Sequence, residues 1–278
     1  DALLRGKGRF SDNIPEPEQL YACFVRSPHP HASIMRIDVA AAAAMPGVAA
    51  VLTGADLVLA GVKPIPNSGD FKRADGGPTV TPPHHALAVD TVRFVGEAVA
   101  AVIAATPLQA RDAAERVDVD YVPLAAVVDT VAAAAPGAPK VVVDAPDNIA
   151  CEIRHGDPAA VAAAFARAAH VVALDIVNQR VAACPLEPRS TLATFDASSG
   201  RLTLRASCQT PTGLRDELCE AVLEIPKDRV RVVVGDVGGG FGMKTSLYPE
   251  DIVVAFAARA LGRPVRFTAD RMEEFLGA

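Results

Sequence analysis

Tryptophan is absent from the 278 residues, aromatic side chains make up only 5%, and the apolar half of the composition is carried largely by Ala and Val. The Ala-rich runs at Ala40–Ala44 and Ala132–Ala135 stop long before the roughly 18 residues that span a bilayer, so no membrane span is expected. Five cysteines (Cys23, Cys151, Cys184, Cys208, Cys219) form no CxxC pair, which argues against a disulfide framework and against an iron–sulfur ligand set in this chain. Basic residues are outnumbered, 27 Lys+Arg to 33 Asp+Glu, and are scattered rather than striped; nucleic acid is therefore not the expected partner. The opening Asp1-Ala2-Leu3-Leu4-Arg5 lacks the apolar core of an export signal, which favours a cytoplasmic home.

What is present is a globular composition long enough for one large or two ordinary domains. A chain of this size buries roughly 70–75% of its extended surface, enough for a core without metal or disulfide staples. Residues 20–25, 47–52 and 98–104 read as short strands. Thr106-Pro107-Leu108-Gln109 carries the signature of a helix start, with a helix running to Arg116 and an alternating strand over 117–122. Between Pro123 and Asn148 the sequence thins into Ala, Val, Pro and Gly, as a linker does. Asp157-Pro158 then starts a second helix through Ala169, and strands are expected over 171–177, 201–205 and 229–234. Leu214, Leu218 and Val222 recur at intervals of four, on one helical stripe ending before Pro226. A last apolar helix spans 249–261, stopped by Gly262 and Pro264. The alternation implies an α/β or α+β class with two domains, residues 1–125 and 149–278, joined by a linker over 126–148.

The sharpest local feature is Asp236-Val237-Gly238-Gly239-Gly240-Phe241-Gly242-Met243-Lys244-Thr245, between a strand and a helix. Met243 breaks both the Gly-Lys-Ser/Thr ending of a P-loop and the last glycine of a dinucleotide fingerprint. Two readings stand: a tight turn with one anchoring Phe, or a backbone surface that closes on an anion or a flat cofactor. Lys244 reads either as a partner for a cofactor phosphate or as a solvated lysine. Glu187 and Arg189, flanking Pro188, read as a turn ion pair or as groups near a substrate funnel. His29, His31, His84 and His85 read as structural or solvated, because no third ligand falls at tight spacing. Glu97 reads as a structural carboxylate, and Cys208 as a buried thiol.

The whole chain resembles the molybdopterin-binding subunit of the xanthine dehydrogenase/aldehyde oxidase family, the molybdenum hydroxylases. The resemblance runs through Gly6-Lys7-Gly8-Arg9-Phe10-Ser11-Asp12, Phe24 to Ala32, Pro46-Gly47-Val48 and Val95 to Ala100, then Pro185-Leu186-Glu187-Pro188-Arg189, Cys208-Gln209-Thr210-Pro211, Gly238 to Lys244 and Gly262-Arg263-Pro264-Val265. It implies an N-terminal α/β hammerhead domain followed by the first, incomplete part of a molybdopterin-binding α+β domain. It also implies that Gln209, Gly239, Gly240, Phe241 and Gly242 contact the molybdenum–molybdopterin cofactor, the cytosine dinucleotide form being one alternative. Gln supplies an uncharged donor and acceptor near a metal-bound oxygen, and Phe an apolar wall. No residue here is a direct metal ligand by that resemblance, and no catalytic set is complete in this chain: the general-base glutamate is expected on a C-terminal part beyond Ala278. FAD and [2Fe–2S] clusters are expected on partner subunits, with a chain carrying the rest of the molybdopterin domain. The purine-oxidising branch has a glutamate after the lysine of the Gly-rich loop; Thr245 stands here, which points to an aldehyde, heteroaromatic or carbon monoxide substrate oxidised with water as oxygen source. The rivals are a non-catalytic scaffold of the same fold and a phosphate-ligand binder using the Gly-rich loop alone.

Overall fold

In the computed structural model, which describes residues 2–67, 69, 71–145, 147–179 and 181–277, the elements follow in this order: β1 (Leu20–Arg26), β2 (Ala32–Asp38), α1 (Ala40–Ala43), β3 (Val48–Thr53), α2 (Gly54–Leu59), β4 (Thr91–Val92), β5 (Ala98–Ala104), α3 (Pro107–Ala114) and β6 (Asp118–Pro123). The second half continues with α4 (Thr130–Ala133), α5 (Pro158–Arg167), β7 (Ser190–Asp196), β8 (Arg201–Ala206), α6 (Pro211–Asp216), β9 (Val230–Val233), α7 (Pro249–Leu261), β10 (Val265–Thr268) and α8 (Arg271–Gly277). Asp1, Pro146 and Ala278, which enter the sequence reading, lie outside the described residues.

Two compact units emerge, and they are not successive in sequence: a larger one of residues 1–67, 83–128 and 182–278, and a smaller one of 68–82 and 129–181. The larger unit is built on a seven-stranded mixed sheet of order β3-β5-β1-β10-β7-β8-β9, with a second sheet of order β4-β2-β6. The long sheet therefore runs through both halves of the chain: β1 pairs in parallel with β10, Leu20 opposite Val265, while its other edge pairs antiparallel with β5, Phe24 opposite Ala101. β5 explains why the sheet has an interior. Its sequence AVAAVIA is apolar at every position, and all seven residues are buried, as befits a central strand covered on both faces.

Helix α7 packs across β7 and β10 and supplies much of the core through Ile252, Val253, Val254, Ala255, Ala257 and Ala258. Its limits are local chemistry. Pro249 opens it, Asp251 accepts from the Tyr248 N–H (3.2 Å), and Gly262 closes it at φ +62°, a left-handed conformation that glycine adopts without penalty. The Thr106 cap of α3 forms as its sequence implies, accepting from the Gln109 N–H at 3.2 Å.

Three expectations change. Residues 171–177 are not a strand: they have no ladder partner among the described residues, and Val172, Leu174, Ile176 and Val177 stay largely exposed. An apolar run makes a strand only where another strand takes its backbone groups. The stripe Leu214, Leu218, Val222 is buried, but it is wound differently: α6 passes into a π-helical turn over Glu217–Val222, with the Leu223 N–H reaching the Leu218 carbonyl at 2.9 Å. Wider winding still keeps Leu218 and Val222 on the core side. Finally, the linker region contains the helix α4, capped by Asp129 on the Ala132 N–H.

Candidate cofactor loop

Three segments of the larger unit meet at one place: Leu186–Arg189 before β7, Ser207–Thr210 after β8, and Gly238–Thr245 after β9. Chain direction does the first part of the work, since β8 and β9 are parallel neighbours and deliver both following segments to the same end of the sheet. Gln209 is held by its backbone and side chain alike. Its N–H donates to the Lys244 carbonyl (2.7 Å), and its Oε1 accepts from the Gly242 N–H (3.0 Å).

The glycines of the loop are required for distinct reasons. A Cβ on Gly240 would lie 2.5 Å from Gln209 Cδ and Oε1, and one on Gly238 would lie 2.6 Å from Glu187 Cβ, so the neighbouring segments approach where only hydrogen fits. Gly239 and Gly242 adopt φ of +107° and +88°. Phe241 itself has φ +52°, unusual for a bulky residue, and the residue is 75% exposed. The N–H groups of Gly239, Gly240 and Phe241 donate to no acceptor among the described residues, whereas that of Gly238 is taken by Glu187. The Gln209 amide nitrogen is likewise unpaired among them. The loop thus offers an exposed aromatic face, three backbone donors and an amide donor, with no charged side chain among Gln209 and Gly239–Gly242. That donor set fits a flat cofactor of pterin type: backbone donors suit its ring and phosphate acceptors, and the exposed Phe suits an apolar covering.

The charged residues nearby have other duties than those read from sequence. Lys244 is neither solvated nor free for a phosphate: it is fully buried, and its Nζ donates to Glu187 O (2.8 Å), Glu187 Oε2 (3.1 Å) and Ser207 Oγ (2.8 Å). Glu187 and Arg189 do not form a turn ion pair. Arg189 turns to Glu250 (2.9 Å) and Glu274 (3.2 Å) and stacks its guanidinium 3.8 Å from the centre of the Tyr248 ring. Each finds a buried partner distant in sequence, where opposite charges are less screened than across a surface turn. Cys208 is buried, and burial, with Asp251 nearby, pushes its thiol up to about 11. Glu97 accepts from the Arg93 N–H at 2.6 Å, and burial raises its carboxyl above the usual range.

The histidines are dispersed. His31 Nδ1 contacts the Ala125 carbonyl (2.9 Å), His29 lies edge-on to Tyr121, and His84 forms a β-bridge with Ile65. Among the described residues no three His, Cys, Asp or Glu side chains are grouped to hold a metal ion. A groove of about 560 Å³ is lined by Asp12, Tyr21, Arg111, Arg266, Asp270 and Glu273, but Gln209 and the loop residues do not border it. No described helix is long and apolar enough to cross a membrane.

Residues 141–278 match the molybdopterin cofactor-binding domain, and residues 5–125 match the a/b hammerhead domain of aldehyde oxidase and xanthine dehydrogenase. The chain belongs to the xanthine dehydrogenase/aldehyde oxidase family of molybdenum hydroxylases. It is 37% identical, over 99% of its length, to the nicotine 6-hydroxylase large subunit of Paenarthrobacter nicotinovorans, and 35% identical, over 98%, to the carbon monoxide dehydrogenase large chain of Afipia carboxidovorans. The quinoline 2-oxidoreductase of Pseudomonas putida 86 superimposes with a TM-score of 0.86 at 36% identity, covering all of this chain. In each case the chain spans about a third of the other protein, 32% to 34%. The hammerhead followed by the start of the molybdopterin-binding domain is the fold class expected from the sequence. Sequence reasoning singled out Glu187 and Lys244 but missed that they pair with each other, and it missed the buried acids Glu250 and Glu274, which carry no periodic or motif signal.

Proposed function

We propose that this chain supplies one wall of the molybdopterin site in the large subunit of a molybdenum hydroxylase, with Gln209, Gly239, Gly240, Phe241 and Gly242 as the contacts. The observation that carries the reading is the set of unpaired donors on a loop whose glycines allow close approach, coupled to Gln209 through the Gly242 N–H. When bound, the molybdenum–molybdopterin cofactor supplies two-electron oxidation of an electron-poor carbon with water as the oxygen source. The chain's own part is placement. Gln209 holds a donor toward the cofactor's oxygen side, the backbone N–H groups of residues 239–241 hold acceptors, and the Phe241 ring excludes water from that face.

The substrate class we infer is an aldehyde, a heteroaromatic ring or carbon monoxide rather than a purine. Thr245 supports this: its hydroxyl donates to the Gly242 carbonyl (2.7 Å), so the position offers a heterocycle no carboxylate. The general-base glutamate, the remaining pterin contacts, FAD and the [2Fe–2S] clusters lie outside these 278 residues in this reading, and electrons leave through partner subunits. Molybdenum and pterin analysis of the complete large subunit with its partners tests it. Near-stoichiometric metal in the wild type and a severalfold loss in Phe241→Asp are expected; an active complex free of molybdenum would overturn the assignment.

A further inference from the structure

Between the two ends of the cofactor loop sits one carboxylate. Glu187 Oε2 accepts from the Gly238 N–H (2.7 Å) at the start of the loop, from Lys244 Nζ (3.1 Å) at its end, and from the Ser207 hydroxyl (2.7 Å) two residues before Gln209. Lys244 closes the ring through the Glu187 carbonyl and Ser207 Oγ, while its own carbonyl takes the Gln209 N–H. The Glu187 N–H also reaches the Gly238 carbonyl at 3.3 Å. These partners are 20, 51 and 57 residues from Glu187, so the contacts fix segments that nothing local holds together. Glu187 Oε1 is buried without a donor among the described residues, and Lys244, whose side chain is wholly buried, is the cation that offsets the charge.

We propose that Glu187 is a positioning residue for the cofactor: it makes no hydrogen bond to Phe241 or Gln209 among the described residues, yet it sets where both stand by anchoring the two ends of the loop and the segment leading to Gln209. This rests on the assignment of the loop as a molybdopterin contact. An isosteric amide at 187 keeps the volume and can still turn a carbonyl oxygen to the three donors, but it removes the charge that offsets the buried Lys244 and weakens each of the three bonds. The damage falls on loop placement.

The test uses the complete large subunit with its partner subunits, comparing wild type, Glu187→Gln, Ser207→Ala and Leu202→Ala. Leu202 is buried in β8 and makes none of these polar contacts, so its truncation destabilises the fold without touching the clasp. Molybdenum and pterin are counted per folded subunit, and the Mo(V) electron paramagnetic resonance spectrum of the reduced enzyme is recorded. Glu187→Gln is expected to lower occupancy at least threefold or to shift the Mo(V) spectrum, with Leu202→Ala unchanged in both. Ser207→Ala, which removes one donor and leaves the charge pair, is expected to move the same readouts less, and it decides the matter if Glu187→Gln does not fold. Wild-type occupancy and spectrum in Glu187→Gln, or in Ser207→Ala where only that variant folds, would overturn the proposal, as would an equal occupancy loss in Leu202→Ala. Absence of molybdenum from the wild type would instead sink the underlying assignment, and this proposal with it.

Discussion

Two arginines of the larger unit each gather carboxylates, in opposite environments. Arg36 on β2 reaches Asp38 (2.8 Å), Asp118 (2.8 Å) and Asp120 (2.9 Å), all close to half exposed or more. Arg189, just before β7, reaches Glu250 and Glu274 with 7%, 3% and 0% of the three side chains exposed, and Glu250 is shared with Arg26 of β1 at 2.7 Å. The distances alone do not separate them. Water does: around Arg36 it screens the attraction and solvates any member left alone, whereas a buried charge deprived of its partner keeps its whole desolvation cost. The buried set also spans the chain, linking β1, the start of α7, the segment before β7 and α8, while the Arg36 set joins only neighbouring strands of one small sheet. A short ion pair is therefore informative here only with its burial attached.

The largest effect is expected at the buried set. Arg189→Met leaves Glu250 with one cation and Glu274 with none, and should cost on the order of 3–5 kcal/mol in urea unfolding. Arg26→Met leaves Arg189 on Glu250 and should cost less, about 2–3 kcal/mol, also through the lost bond to the Gly96 carbonyl. A loss no greater than that of an exposed substitution in either variant would mean that the network is not closed in solution.

The neighbouring acids Glu250 and Asp251 sharpen the comparison further. Burial pushes Glu250 up, but Arg189 and Arg26 outweigh it and hold its carboxyl below the usual range. Asp251 has no such cation in bonding distance; burial dominates, Glu250 adds to it, and the group is pushed up to about 6 against the Tyr248 N–H bond. The folded state then binds the Asp251 proton more tightly than the unfolded chain does. Its contribution is present in full below about pH 4 and lost as pH rises through about 6, on the order of 3 kcal/mol in all. Asp251→Asn should remove that slope, so its stability relative to wild type should improve by about 2–3 kcal/mol between pH 4 and pH 7. Parallel stability curves for the two proteins across that range would refute the burial argument. Arg36→Met, the smallest effect, should leave the denaturation midpoint indistinguishable from wild type in high salt, and a clear shift there would contradict the screening argument.

Much of the fold was legible where physics is local. The β5 run, the Thr106-Pro107 start and the Pro249-to-Gly262 limits of α7 are written in residue type and spacing, and they appear within a residue or so of where the sequence puts them. β2, β7 and β10 were not legible; β7 mixes Ser, Thr and Ala, and only its place between β10 and β8 makes it a strand. The reverse failure is residues 171–177, apolar enough for a strand but without a ladder. At the proposed site, the glycines and Gln209 were singled out through composition and family resemblance, whereas the burial of Lys244 was not legible, because a lysine's fate depends on whether a carboxylate waits for it.

What the sequence determined by itself is thus the class of fold, the caps and the backbone freedom at Gly239 and Gly242, since each depends on a few adjacent residues. Which charges are buried, which segments share one sheet, and that Glu187 rather than Arg189 meets the loop were decided only in three dimensions. Those outcomes depend on partners as far apart as the 247 residues between Arg26 and Glu273 or the 254 between Arg266 and Asp12, and on how completely their meeting excludes water.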